Sequence, residues 1–212
     1  MKNVTWYGQG SLRIISDDRC IYIDPLWIVE EMHDADIILI THSHFDHLSE
    51  DDIKKVIKED TVFVAPQDCL NQLKAEFDHE MIAILPGEEI DVEEVHIKAV
   101  AAYNIIKTQN HPKENNWVGY VIDTDDGKYY YTGDTELIPE MEGLDVDVIF
   151  VPLGQVYTMN TVQQAVDAVK ASGAKRAVPV HFGKYEGTEK DVQTFQMLLG
   201  DAAEMVLLPR VQ

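Results

Sequence analysis

The sequence predicts an α+β fold in which two β-sheets pack face to face with helices outside, a four-layer αββα sandwich. Three observations carry that expectation. Short β-branched runs joined by tight turns open each half of the chain, strand and helix patterns alternate late in each half, and no linker, low-complexity tract or short-period repeat interrupts them. At 212 residues with 45% hydrophobic content, the chain suits one domain over 1–212 with a full core.

In the first half, apolar alternation marks strands at 4–7, 12–15, 20–23, 37–40 and 62–64. A helix begins at Ser49, where Ser49 and Asp52 form a capping box. Ile53, Val56 and Ile57 make its apolar stripe, and Lys54, Lys55 and Lys58 lie toward its C-terminal end. A second helix runs over 66–77, since proline suits a first helical position and Leu70, Leu73 and Phe77 recur at helical spacing.

The second half repeats the style with strands at 95–100, 117–122, 128–131 and 146–151, the middle two joined by the turn Thr124-Asp125-Asp126-Gly127. Helices follow at 161–171, with Val162, Ala165, Val166 and Val169 on one face before Gly173, and at 188–199, capped by Thr188 and Asp191 before Gly200. Between them a short strand at 177–180 ends at His181.

Charge narrows the function classes. The formal net charge of −21, from 38 acidic and 17 basic residues, repels a phosphate backbone, so nucleic acid is a disfavoured partner. No basic leader precedes an apolar stretch and no apolar run is long enough to span a bilayer, which makes a cytoplasmic protein without membrane contact the expectation. Cys20 and Cys69 are expected to be buried, reduced thiols. Self-association into a homo-oligomer is left open.

Chemistry concentrates in Ile38-Leu39-Ile40-Thr41-His42-Ser43-His44-Phe45-Asp46-His47, which places three imidazoles and a carboxylate within six residues directly after a buried-looking strand. Imidazole and carboxylate are ligands for zinc, manganese or iron, and a strand-to-helix turn can point alternate side chains into one cavity. A merely polar loop would favour Gly, Asn, Ser and Pro instead.

The motif His42-x-His44-x-Asp46-His47 resembles the H-x-H-x-D-H signature of the metallo-β-lactamase superfamily. Tyr131-Thr132-Gly133-Asp134-Thr135 resembles that family's Gly-Asp-Thr element, Val178-Pro179-Val180-His181-Phe182-Gly183 its strand delivering the last histidine, and Ile23-Asp24-Pro25 its early Asp-Pro element. The resemblance implies the αββα sandwich and a centre for two divalent ions: zinc first, with manganese, iron or nickel accepted by the same donors. By that resemblance His42 and His44 hold one ion, Asp46, His47 and His181 the other, and Asp134 bridges them. The third histidine of the first ion is absent from its usual place, where the chain reads Ala101-Ala102-Tyr103-Asn104; His111 is the nearest downstream candidate, an ordinary loop histidine is its alternative, and Asn104 is an outside one.

Asp24 has two readings: it accepts an N–H from a ligand histidine and fixes its tautomer, or it initiates a turn before Pro25. His33, His79 and His96 match no motif position and are expected to be structural. Tyr157, Lys184 and Tyr185 are candidates for the pocket, with a core tyrosine and a surface lysine as the plain alternatives.

The phrases Ala102-Tyr103-Asn104, His111-Pro112-Lys113, Val118-Gly119-Tyr120 and Tyr157-Thr158-Met159 are similar to a compact branch of the superfamily that includes ascorbate-6-phosphate lactonase. That likeness implies hydrolysis of a small lactone or phosphate ester by activated water, with Asp46 orienting the water and relaying its proton. The rivals are a phosphodiesterase or nuclease of the same superfamily, a metal-binding protein without turnover, and di-iron redox chemistry, for which no flavodoxin-like partner domain is present in this length.

Overall fold

The protein is described by a computed structural model covering residues 1–211. Among those residues, two sheets account for every named strand. The first contains β1 (Val4–Gly8), β2 (Ser11–Ser16), β3 (Arg19–Ile23), β4 (Ala35–Leu39), β5 (Ile57–Ala65) and β6 (Glu80–Ala83), hydrogen-bonded in that order. The second contains β7 (Glu89–Val92), β8 (Val95–Ala101), β9 (Val118–Thr124), β10 (Gly127–Tyr131), β11 (Val148–Pro152), β12 (Arg176–Val180) and β13 (Glu204–Met205), again in chain order.

Each sheet starts as an antiparallel meander and finishes parallel, with β3 to β6 parallel in the first and β10 to β13 parallel in the second. Parallel neighbours need a crossover, and the last two in each sheet are helical. These helices are α1 (Glu50–Val56), α2 (Gln67–Leu73), α3 (Val162–Ser172) and α4 (Glu189–Leu199).

Side chains alternate across β4 and divide the core. Ile37 and Leu39 join the cluster between the sheets, whereas Ile38 and Ile40 pack with Phe63, Ile53, Val56 and Leu70 beneath α1 and α2. Burial on both faces explains why the strand reads as an unbroken apolar run. Behind the second sheet, Val166 and Val169 of α3 and Phe195 of α4 bury completely or nearly so. The αββα sandwich is therefore present.

Several local expectations shift. β5 begins at Ile57, ahead of the expected 62–64, so α1 stops at Val56 and Lys58 lies in a strand, where it pairs with Asp36 at 2.6 Å. The helix expected over 66–77 ends at Leu73, because bonds from Ala75 to Gln72 and from Glu76 to Leu73 tighten its exit into i→i−3 turns. The outer strands β6, β7 and β13 are short and charged, features that protect sheet edges but hide the strand period. The 124–127 hairpin and the Thr188–Asp191 capping box form as expected, and Thr161, expected as the first residue of its helix, is the N-cap of α3, its side chain accepting from the Gln164 N–H. Among the described residues, no helix is long and apolar enough to cross a membrane.

This topology positions the site. The segments carrying His42, Asp134 and His181 all leave the C-terminal ends of parallel strands, where open α/β sheets form clefts. Tyr120 clamps the sheets there, its hydroxyl donating to the carbonyls of Ile40 at 2.7 Å and Val64 at 3.1 Å.

Candidate metal centre

The chain turns away from β4 at Ile40, and the next seven residues deliver His42, His44, Asp46 and His47 before α1 begins at Glu50. His42 and His47 are buried, His44 is half-buried, and Asp46 lies at the edge of burial. Asp134 arrives three residues after β10 and His181 directly after β12. His181 occupies a left-handed backbone at φ +55°, costly for a residue with a Cβ, and its N–H donates to the Gln9 carbonyl at 3.0 Å. His111 folds back from the loop after β8 and is 1% exposed, so it is not a solvent-facing loop histidine.

Three overlapping groups result, each with donor atoms mutually within 4.8 Å: His42, His44 and His111; His42, His47 and Asp134; and Asp46, His47 and His181. Asp134 stands between them, its Oδ1 3.4 Å from His47 Nε2 and its Oδ2 3.5 Å from His111 Nε2 and 3.3 Å from His181 Nε2. All seven expected site residues therefore meet. The Asn104 amide nitrogen donates to the Tyr157 carbonyl at 2.7 Å and lies 3.2 Å from His111 Nδ1, while its Oδ1 is buried without a hydrogen-bond partner. His33, His79 and His96 lie outside these groups.

The far sides of the rings are fixed by oxygen acceptors. Asp24, fully buried, takes His47 Nδ1–H and the Thr41 hydroxyl on Oδ2, each at 2.7 Å, and the Thr41 N–H on Oδ1 at 2.8 Å. With its own proton given to Asp24, the Thr41 hydroxyl oxygen accepts from His42 Nδ1 at 2.9 Å. Both readings of Asp24 thus describe one residue: it orients a histidine and, at φ +45°, turns the chain before Pro25. Glu186 does the same for His181, whose Nδ1 lies 3.0 Å from Oε1. A Cβ at Gly154 would fall 1.7 Å from the Glu186 carboxyl carbon, so only glycine leaves room for that carboxylate.

Electrostatics draw positive charge into the gap. Burial opposes ionisation of His47, yet Asp134 and Asp24 outweigh it and hold its pKa well above the ordinary value. Burial likewise opposes the charge on His181, which Asp134 and Asp46 nevertheless push up to about 10. Burial would raise Asp46, but the hydrogen bond from His181 holds it down at about 2. His42, deep among other imidazoles, is pushed well below its usual value by burial and then by His47.

These donors fit divalent cations. His111 Nε2 and Asp134 Oδ1 are buried without a hydrogen-bond partner, and the Nε2 atoms of His47 and His181 face each other at 3.4 Å. Unpaired buried polar atoms are costly, and cations among these lone pairs would satisfy them together.

Sequence reasoning missed Gln9, Thr41 and Glu186. Gln9 is fully buried, with Nε2 3.3 Å from both Asp46 Oδ2 and His181 Nε2. A polar residue between Gly8 and Gly10, at the end of an apolar strand, was its only local signal.

Above the donors opens a cleft of about 380 Å³ whose lining includes His44, Asp46, His111, Asp134 and His181. Phe45, Tyr157 and Tyr185 also line it. Lys184 does not; its Nζ sits 4.2 Å above the Trp27 ring.

Comparison with known proteins agrees with this geometry. Residues 20–182 match the model of the Beta-lactamase superfamily domain. The chain is similar to a UPF0173 metal-dependent hydrolase of Pyrococcus horikoshii, 32% identical over 98% of this chain and 96% of the relative. One from Thermoplasma acidophilum is 29% identical, covering 99% and 96%. Among solved structures, a Parabacteroides distasonis protein assigned as a metal-dependent hydrolase superposes with a TM-score of 0.85 at 32% identity, over 98% of this chain and 93% of that one. A metallo hydrolase from Ignicoccus hospitalis shares the fold at a TM-score of 0.81 and 20% identity, over 99% and 95%.

Proposed function

The chain belongs to the beta-lactamase superfamily, and from that premise we propose that it is a metal-dependent hydrolase with a two-cation centre, acting on a small lactone or phosphate ester. The observation that carries this reading is the joining of three overlapping donor groups through Asp134 on the floor of an open cleft. His42, His44 and His111 would hold one ion and Asp46, His47 and His181 the other, with Asp134 shared. Zinc suits this imidazole and carboxylate set, as do manganese and iron. When bound, such ions make water a nucleophile near neutral pH and polarise the oxygen of a carbonyl or phosphoryl group.

The protein's own contribution is orientation and proton handling. Asp24, through Thr41 and directly, keeps His42 and His47 in the tautomer whose Nε2 lone pair faces the centre, and Glu186 does so for His181. Asp46 lines the cleft, where its carboxylate takes a proton from the attacking water and passes it to the leaving group. The cleft's access to solvent favours turnover over a purely structural metal site, whose ligand sphere would be closed.

The test is metal analysis of protein purified without added salts, followed by a panel of esters, lactones and phosphodiesters before and after chelation. About two equivalents of metal, with chelator-sensitive hydrolysis restored by metal, is the expected result. Saturation at one equivalent, or hydrolysis indifferent to chelation, would overturn it.

A further inference from the structure

Resting on that hydrolytic reading, we infer that the substrate is a neutral carboxylic ester or lactone whose non-reacting part is a flat apolar group, with no phosphate or carboxylate remote from the bond that breaks. The walls of the cleft carry the argument. Above the cluster, its lining consists of the aromatic rings of Phe45, Tyr157 and Tyr185 and the carboxamides of Gln109 and Asn110, with no lysine or arginine. Phe45 is 71% exposed, Tyr157 46% and Tyr185 41%, a concentration of uncovered ring surface around one opening. Phe45 meets Tyr185 edge to face at a centroid distance of 5.6 Å, leaving ring faces for a planar ligand.

A remote anion finds nothing comparable. Asp46 and Asp134 are the carboxylates in the lining, and among the described residues the lysines of the neighbouring loops lie outside it. Lys184 Nζ lies 4.2 Å from the Trp27 ring centroid and 5.4 Å from that of Tyr185, outside the lining, and Lys107 Nζ donates to the carbonyls of Gln155 at 3.2 Å and Met159 at 2.9 Å. Bound cations would serve the reacting oxygen, so a second phosphate or carboxylate would be desolvated against neutral walls without a partner.

The rings are also registered to the donor cluster. Phe45 lies between His44 and Asp46 in the chain, and Tyr185 immediately precedes Glu186. The Tyr157 N–H donates to Glu186 Oε2 at 2.7 Å, and Glu186 Oε1 binds His181. From the other side Asn104 joins the Tyr157 carbonyl to His111. The aromatic wall and the cluster are thus built from the same buried polar groups, which holds the body of a substrate at a set distance from its reacting carbonyl.

Binding and turnover test this separately on the zinc-loaded protein. Acetohydroxamate and benzohydroxamate share a chelating head and differ by a ring. Benzohydroxamate should bind roughly tenfold more tightly by calorimetry, since one buried ring face supplies about that much. The advantage should vanish in Phe45→Ala and Tyr157→Ala, whose side chains are exposed and whose fold circular dichroism checks, and 4-carboxybenzohydroxamate should lose it in the wild type. In turnover, phenyl acetate and dihydrocoumarin should exceed counterparts bearing a remote carboxylate or phosphate in kcat/KM, and Asn110→Arg should narrow that gap. Equal binding of the three hydroxamates, or a preference for remote anions that Lys184→Ala removes, overturns the inference while leaving the hydrolytic reading in place. Ring-dependent binding without hydrolysis of any ester or lactone refutes the hydrolytic reading and, with it, the assignment of a substrate, leaving the cleft a site for neutral ligands.

Discussion

Replacing Asp24 by asparagine should weaken metal binding although the side chain touches no cation position. Its Oδ1 accepts the Thr41 N–H at 2.8 Å, while Oδ2 accepts from the Thr41 hydroxyl and His47 Nδ1 at 2.7 Å each and from the Tyr131 hydroxyl at 3.3 Å. Asparagine has the same shape but one acceptor oxygen. With that oxygen turned to the three donors on the Oδ2 side, the Thr41 N–H faces an amide N–H, which costs about 1–3 kcal/mol. Loss of the carboxylate charge weakens the bond to His47 by about 1 kcal/mol more, the difference between charge-assisted and neutral hydrogen bonds. The opposite orientation strands three donors and is worse. Backbone strain does not confound the change, because asparagine tolerates the left-handed φ of +45° found at this position.

The sum is about 2–4 kcal/mol, or a lowering of the melting temperature by about 4–16 °C for a domain of this size. Metal affinity should fall about 10–100-fold, the usual consequence of losing a carboxylate behind a ligand histidine. Scanning calorimetry of metal-free protein and zinc titration against a competing chelator measure the two effects. Affinity within about threefold of wild type, with a melting temperature within about 2 °C, would refute the argument.

Other perturbations address other parts of the centre. His111→Ala removes a buried ring nitrogen without a protein partner and should selectively weaken one of two metal equivalents in titration; unchanged stoichiometry and affinity would exclude it as a ligand. Asp46→Asn keeps volume but loses proton-relay capacity, so kcat should fall about 10²–10⁴-fold while circular dichroism and most metal binding persist; undiminished turnover would remove its assigned role. Gly119→Ala would place a Cβ 2.5 Å from the carbonyl oxygens of Tyr131 and Thr132, at a cost of about 1–3 kcal/mol or more. It should also weaken metal binding by shifting Asp134; a wild-type melting temperature and affinity would contradict this. Burial pushes the Cys20 thiol up to about 12 and Cys69 higher still, so neither should react with a thiol reagent at pH 8 until guanidinium unfolds the chain, and rapid native labelling would contradict their burial.

What could be read directly from the chain was local. Three imidazoles and a carboxylate within six residues, entered from Ile37-Ile38-Leu39-Ile40 and followed by the Ser49 cap, state their own context because their strand, turn and helix are contiguous. The 124–127 hairpin and the two late helices were equally legible, since caps, turn residues and apolar spacing act over a few positions. Early hairpins and late strand-helix alternation in each half were legible too, whereas the parallel pairing of β3 with β4 and of β10 with β11, which no α-helix separates, came only from the structure.

Tertiary structure decided which distant groups complete those local pieces. His111, seven residues beyond Asn104 on an irregular loop, comes within reach of His42 and His44 only after the second sheet has closed over the first. Glu186 holds His181 because Gly154, on another loop, lacks a Cβ, and Gln9 approaches a histidine 172 residues away. None of these choices has a period or a cap to announce it. The chain by itself determined a turn of three imidazoles and a carboxylate on the edge of an αββα sandwich; packing of the two sheets determined which distant donor groups join it, the carboxylates behind them and the aromatic walls above, because those depend on distances set by burying both apolar faces against each other.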